Sequence, residues 1–161
     1  MKIKEAKEIT GSMTRTSKMP GLSYSLPAWE CKTGAKLVKV PGSVCAGCYA
    51  MKGNYTRYPA IKAAQYKRLA SINKPEWVMA MVIQIKRQKF FRWHDAGDIQ
   101  SEDHLLKIFE VCRLTPDTKH WLPTREAQFL KLVSPEEVPD NLTIRMSSHM
   151  IDQGPVSFWP W

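Results

Sequence analysis

The chain has 161 residues, 43% of them apolar and 24% charged, with a formal net charge of +9. That length reads as a single domain over residues 1–161, able to bury a core without disulfide staples, and the composition excludes wholesale disorder. No apolar run approaches the ~20 residues of a membrane span, and the charged start Met1-Lys2-Ile3-Lys4-Glu5 lacks the apolar stretch of a signal peptide, so a cytoplasmic chain with no membrane partner is expected.

Residues 1–30 show no sustained periodicity, but Met19-Pro20-Gly21 is a turn signal and the alternation over 22–26 predicts a first strand, ended by Pro27. Residues 31–53 form a Gly-, Pro- and Lys-rich loop carrying Cys31, Cys45 and Cys48. Tyr58-Pro59 then opens a helix with a mostly buried stripe through Ile61, Ala64, Gln65, Arg68 and Leu69, and Lys74-Pro75-Glu76 opens a second, whose apolar face is Trp77, Val78, Met81, Val82 and Ile85. A β-prone run at 90–94 stops at Asp95-Ala96-Gly97-Asp98. Ser101 is a good N-cap for a helix with the stripe Leu105, Ile108, Phe109 and Cys112. A strand at 119–122, a helix starting at Pro123-Thr124 and a last strand over Leu142–Met146 follow, with an irregular tail at 154–161. Strands alternating with helices predict an α/β fold with four strands: a small partial, open β/α barrel, or an open parallel sheet with crossover helices and a cysteine-bearing loop.

Four cysteines in a cytoplasmic chain point to metal or redox chemistry more than to disulfides. Cys112 falls on the apolar stripe of its helix and reads as a buried small residue. Four readings stay open for the three loop cysteines. Structural zinc prefers four protein ligands and would need His94, His104, His120 or His149 from elsewhere. A dithiol redox site would use Cys45 and Cys48 and leave Cys31 idle. Burial as plain small residues fits poorly with neighbours that are Lys, Gly and Ser. A 4Fe-4S cluster on Cys31, Cys45 and Cys48 uses all three soft ligands and leaves one iron open, and it is the leading reading. The alternative is a basic nucleic-acid- or protein-binding module with a structural zinc; the cation excess favours polyanions, although the lysines and arginines are spread along the chain.

Cys45-Ala46-Gly47-Cys48-Tyr49-Ala50, followed by Lys52-Gly53, resembles the cysteine loop of the phage family named gene product eighty-eight. The likeness continues through Arg92-Trp93-His94-Asp95-Ala96-Gly97-Asp98, Trp121-Leu122-Pro123-Thr124-Arg125 and Thr143-Ile144-Arg145-Met146-Ser147-Ser148. More loosely, the loop is similar to that of radical S-adenosylmethionine enzymes, although the interval between the first two cysteines is longer here. That resemblance implies a truncated enzyme-like fold in which S-adenosylmethionine meets the open iron. It implies that Asp95, Gly97 and Asp98 receive the cofactor's ammonium group and that Ser147 or Ser148 lies near its ribose. The substrate, whether a small molecule or a host or phage protein, is not implied.

Among other polar residues, Asp95 and Asp98 have local turn roles as their alternative, Thr124 reads as a helix cap beside a grip-forming Arg125, and Arg145 either faces solvent or pairs with a buried acid. His104 and His120 read as surface residues. Tyr49, Tyr55 and Tyr58, interleaved with Lys52 and Arg57, read as packing around the loop, with nucleic-acid stacking as the alternative.

Overall fold

The structure, a computed structural model, describes residues 1–157; the last four residues of the expected irregular tail lie outside the described part. The elements are α1 (Ile3–Thr10), β1 (Thr14–Arg15), β2 (Leu22–Ser23), α2 (Lys32–Leu37), α3 (Asn54–Arg57), α4 (Pro59–Ser71), α5 (Trp77–Ile85), β3 (Phe90–Arg92), α6 (Glu102–Arg113), β4 (Lys119–Thr124), α7 (Ala127–Leu130) and β5 (Leu142–Met146). The strands form one open five-stranded sheet in the order β1-β2-β3-β4-β5, parallel from β2 onward, with β1 antiparallel at the edge. The expected open α/β architecture with a cysteine-bearing crossover is what forms.

The core lies on one face of the sheet. Phe91, Leu122, Leu142 and Ile144 point inward from the strands and meet Trp77, Met81 and Ile85 of α5 and Leu105, Ile108, Phe109 and Cys112 of α6. The apolar stripes of α5 and α6 thus bury as their spacing predicts, and Ser101 caps α6 by accepting the His104 N–H at 3.0 Å. Tyr24 sits at the centre of a polar knot, its hydroxyl donating to the Thr10 carbonyl at 2.8 Å and accepting the Trp77 indole N–H at 3.3 Å, which joins α1, α5 and the chain after β2.

Several expectations need correcting. The N-terminal stretch is not irregular: it forms α1 and the fifth strand, β1, which escaped notice because α1 buries only Ala6 and Thr10 and β1 spans two residues. The cysteine segment is largely helical, with α2 and two 3₁₀ turns at Val44–Gly47 and Tyr49–Met51. In α4, Gln65 and Arg68 are buried as expected but Ile61 is exposed, because the Arg68 side of the helix meets polar backbone at Ser12 and Ser25. No helix begins at Pro123. Strand β4 runs on to Thr124, since β3 pairs only as far as Arg92 opposite Trp121 and the missing Pro123 N–H lies on the side where β3 has ended.

His104 and His120 are not surface residues: they are 0% and 2% exposed. The pleat turns His120 inward between the exposed Lys119 and Trp121, stacks it on Trp93 at 6.0 Å and places its Nε2 2.8 Å from the Thr115 hydroxyl. His104 lies edge-on to Trp77 at 5.6 Å and its Nδ1 accepts the Gln100 N–H at 3.2 Å. Two glycines are required by close approach: a Cβ on Gly21 would stand 2.1 Å from the Phe90 carbonyl oxygen, and one on Gly97, whose φ is +80°, would stand 2.5 Å from the Leu26 side chain.

Burial lowers the pKa of His104 to about 3 and of His120 to about 4, and holds His94 well below the ordinary value. The unfolded chain takes up these protons near pH 6.5 and the folded chain does not, so stability falls as the pH drops below about 6.5; His120 stops contributing below its folded value near 4, and His104 only below about 3. Asp98, raised to about 6 by burial, works in the opposite sense and cancels about one of the three protons. Urea midpoints measured from pH 7.5 to 4.5 should fall accordingly, by roughly 1.4 kcal/mol per pH unit for each uncompensated histidine. The His120→Asn variant should show a shallower decline.

Candidate functional site

The C-terminal ends of β2 to β5 converge on a cavity of about 180 Å³. Its walls include Cys31, Cys45 and Cys48, together with Arg92, His94, Asp95, Gly97, Asp98, Arg125 and Ser147. Strand C-termini are where open α/β sheets bind ligands, because the chain there leaves the ladder and turns its side chains and N–H groups to one place.

Each cysteine is placed by local structure. Cys31 precedes the first turn of α2, Cys45 lies in the 3₁₀ turn Val44–Gly47, and Cys48 ends that turn, donating its N–H to the Cys45 carbonyl at 3.1 Å. Ser43 caps the turn, accepting the Ala46 N–H at 3.0 Å. All four cysteines are free thiols, with Cys45 and Cys112 buried and Cys31 and Cys48 half-buried. Gly34, in the first turn of α2, faces two of the sulfurs: a Cβ there would lie 3.0 Å from the Cys31 Cβ, 3.6 Å from the Cys45 Sγ and 3.7 Å from the Cys31 Sγ. Among the described residues no three His, Cys, Asp or Glu side chains converge as a single metal ion requires. Burial pushes the Cys31 thiol up, with Asp98 and Glu126 adding to the shift. Burial raises Cys45 too, although Arg125 opposes it. Such thiols are protonated and unreactive by themselves, unlike the depressed thiol of a redox dithiol.

Three buried carboxylates hold the cysteine segment against the strand ends. Asp95 accepts the Ser23 hydroxyl at 2.5 Å and the Tyr55 hydroxyl at 3.0 Å, while Tyr49 donates to the Asp95 carbonyl. Asp98 accepts the Ile99 N–H at 2.8 Å, the Thr124 hydroxyl at 2.6 Å and the Arg125 N–H at 2.9 Å, tying the turn after β3 to the end of β4. Glu126, fully buried, accepts both the N–H and the hydroxyl of Thr33 in α2, each at 2.8 Å. After β5, the His149 carbonyl accepts the Val44 N–H at 3.0 Å.

The candidate residues therefore divide. Cys31, Cys45, Cys48, Asp95, Gly97, Asp98 and Ser147 share the cavity. Ser148 is not part of its wall; its hydroxyl donates to the Gly154 carbonyl at 3.1 Å. Thr124 is a clamp on Asp98 more than a helix cap. Tyr49 and Tyr55 pack the loop, and Arg145 faces solvent. None of His94, His104, His120 or His149 completes a zinc set with the thiols. His94 lines the cavity in a left-handed conformation, φ 65°, and neither of its buried ring nitrogens has a hydrogen-bond partner. Glu126 went unrecognised as a tether because its partner lies 93 residues away and no local signal joins them.

This arrangement defines a class: an open, mostly parallel α/β sheet whose second strand is followed by a thiol-bearing crossover folded over the strand C-termini. A family model described as Gene product 88 matches residues 1–157, and the chain belongs to that family. No curated protein and no solved structure matches it. No helix among the described residues is long and apolar enough to cross a membrane.

Replacing Glu126 with Ala removes both bonds to Thr33 and leaves a buried N–H unpaired, which should cost about 3 kcal/mol in denaturation. Thr33→Val, which loses only the hydroxyl bond, should cost about half as much. Amide exchange should rise in α2 and not in α6 for both variants; unchanged protection of α2 would show that the tether does not hold it.

Proposed function

We propose that this protein binds a 4Fe-4S cluster through Cys31, Cys45 and Cys48 and presents one open iron to a small molecule in the cavity, S-adenosylmethionine being the candidate that the looser resemblance implies. The observation that carries the reading is three thiols, separated in sequence, lining one cavity at the strand C-termini, with Gly34 facing two of the sulfurs. The chemistry of the donor set also supports it: soft thiolates, one per iron, are the ligands that an iron–sulfur core takes.

When bound, a cluster with one uncapped iron supplies an electron to a ligand on that iron. The residues of the chain do the rest. The three thiols lose their protons on binding, since only thiolates ligate, and the raised pKa values of Cys31 and Cys45 make that step cost affinity. Asp95 and Asp98 face the same cavity and carry carboxylate lone pairs beyond the bonds described, which suit an ammonium group. Gly97 brings backbone close to whatever lies there, and Ser147 offers a hydroxyl on the β5 side. Ser148 acts indirectly, accepting the Arg125 Nε–H on its carbonyl at 3.4 Å.

Anaerobic reconstitution tests the reading. About four irons and four sulfides per chain are expected, with a brown colour bleached by reductant. Cys31→Ala, Cys45→Ala and Cys48→Ala should each lose it, whereas Cys112→Ala should keep it. Gly34→Ala should lower iron content with little loss in melting temperature, because the added methyl comes against two of the sulfurs. A colourless protein holding stoichiometric zinc would overturn the proposal. With the cluster in place, formation of 5′-deoxyadenosine from S-adenosylmethionine under reductant makes the protein an enzyme; its absence leaves an iron–sulfur protein that binds without that cleavage.

A further inference from the structure

Parallel sheets are almost always covered on both faces, yet here the helices cover one. On the other, outward-facing residues form rows across the strands: Phe90 opposite Lys119, then Arg92 opposite Trp121 opposite Thr143, then Pro123 opposite Arg145. Phe90 and Trp121 are 40% and 38% exposed, large values for aromatic rings on a parallel sheet. They line a concavity of about 530 Å³ whose charged residues, Arg92, Lys119 and Arg145, are all cations. Neither Lys119 nor Arg145 pairs with a carboxylate among the described residues. The Arg92 guanidinium lies 4.8 Å from the Trp121 ring centre, and its buried Nε–H has no acceptor.

We propose that this open face is a docking platform for single-stranded nucleic acid, with bases stacked on Trp121 and Phe90 and phosphates held by Arg92, Lys119 and Arg145. Flat rings interleaved with unpaired cations fit a chain that alternates bases with phosphates. A second copy of the chain would bring the same cations against these and be repelled. Nothing on the face selects a 2′-hydroxyl, so DNA and RNA strands should bind alike. The platform uses residues other than the thiols, and of the face residues only Arg92 and Pro123 also border the strand-end cavity, so the inference stands or falls apart from the cluster.

Anisotropy of labelled ~20-nucleotide oligo-dT and oligo-U, titrated with the full chain, tests it. Saturable binding to both, within a few-fold of each other, is expected, with a log–log salt slope of about −2 from three phosphate contacts. Trp121→Ala should weaken binding at least ~10-fold and Trp121→Phe by only a few-fold, because a ring remains. Lys119→Gln and Arg145→Gln should each reduce the slope by about 0.7. The double variant Lys4→Gln, Lys67→Gln, on the helical side, should leave affinity unchanged, and circular dichroism melts confirm that each variant folds. Absence of binding at ~50 mM salt overturns the proposal, as does a loss in the helical-side variant equal to that in the face variants, which would mean that only net charge matters. A dimer abolished by Trp121→Ala, with no nucleic acid bound, would assign the face to a second copy and also overturn it.

Discussion

The arrangement at the strand ends depends on the buried carboxylate of Asp98. Parallel strands end with backbone N–H groups that have no further ladder partner, and burying them unpaired is costly. Asp98 accepts one such N–H, from Arg125 just past β4, together with the Ile99 N–H of its own turn and the Thr124 hydroxyl, so the turn after β3 is fastened to the end of β4. A buried charge is tolerated only when its oxygens are satisfied in this way. Burial raises its pKa to about 6 despite three opposing hydrogen bonds.

Asp95 and Glu126 extend the same device to the cysteine segment. One receives hydroxyls from β2 and α3, the other grips α2, and all three carboxylates sit just beyond a strand. The thiols are thereby held over the strand ends with no disulfide, on short helical turns. The opposite economy governs the open sheet face, where cations stand without carboxylates. Part of the excess positive charge of the chain stands there beside exposed rings.

Legibility in the sequence followed the strength of local pattern. Helices α5 and α6 and strand β5 were readable because apolar side chains recur at the helical or strand period and caps stand where a helix needs them. Helix α1 was hidden because its buried residues are small or polar, and β4 seemed to stop at Pro123 because that residue's missing N–H is harmless only once it is known that β3 has ended. His104 and His120 looked like surface residues since a histidine is polar in isolation. Their burial comes from the pleat of β4 and from the ring stack around Trp93 and Trp77, which join distant parts of the chain.

By itself, then, the sequence determined the alternation of strands and helices and the open α/β class, because each is written in residue type and short-range spacing. Only the tertiary structure decided that the thiols share a cavity with Asp95, Gly97, Asp98 and Ser147, that Glu126 anchors α2, and that one face of the sheet is bare. These facts depend on which strands lie side by side and in what register. Pairing of that kind is set by burial summed over the whole core, and no short window of residues contains it.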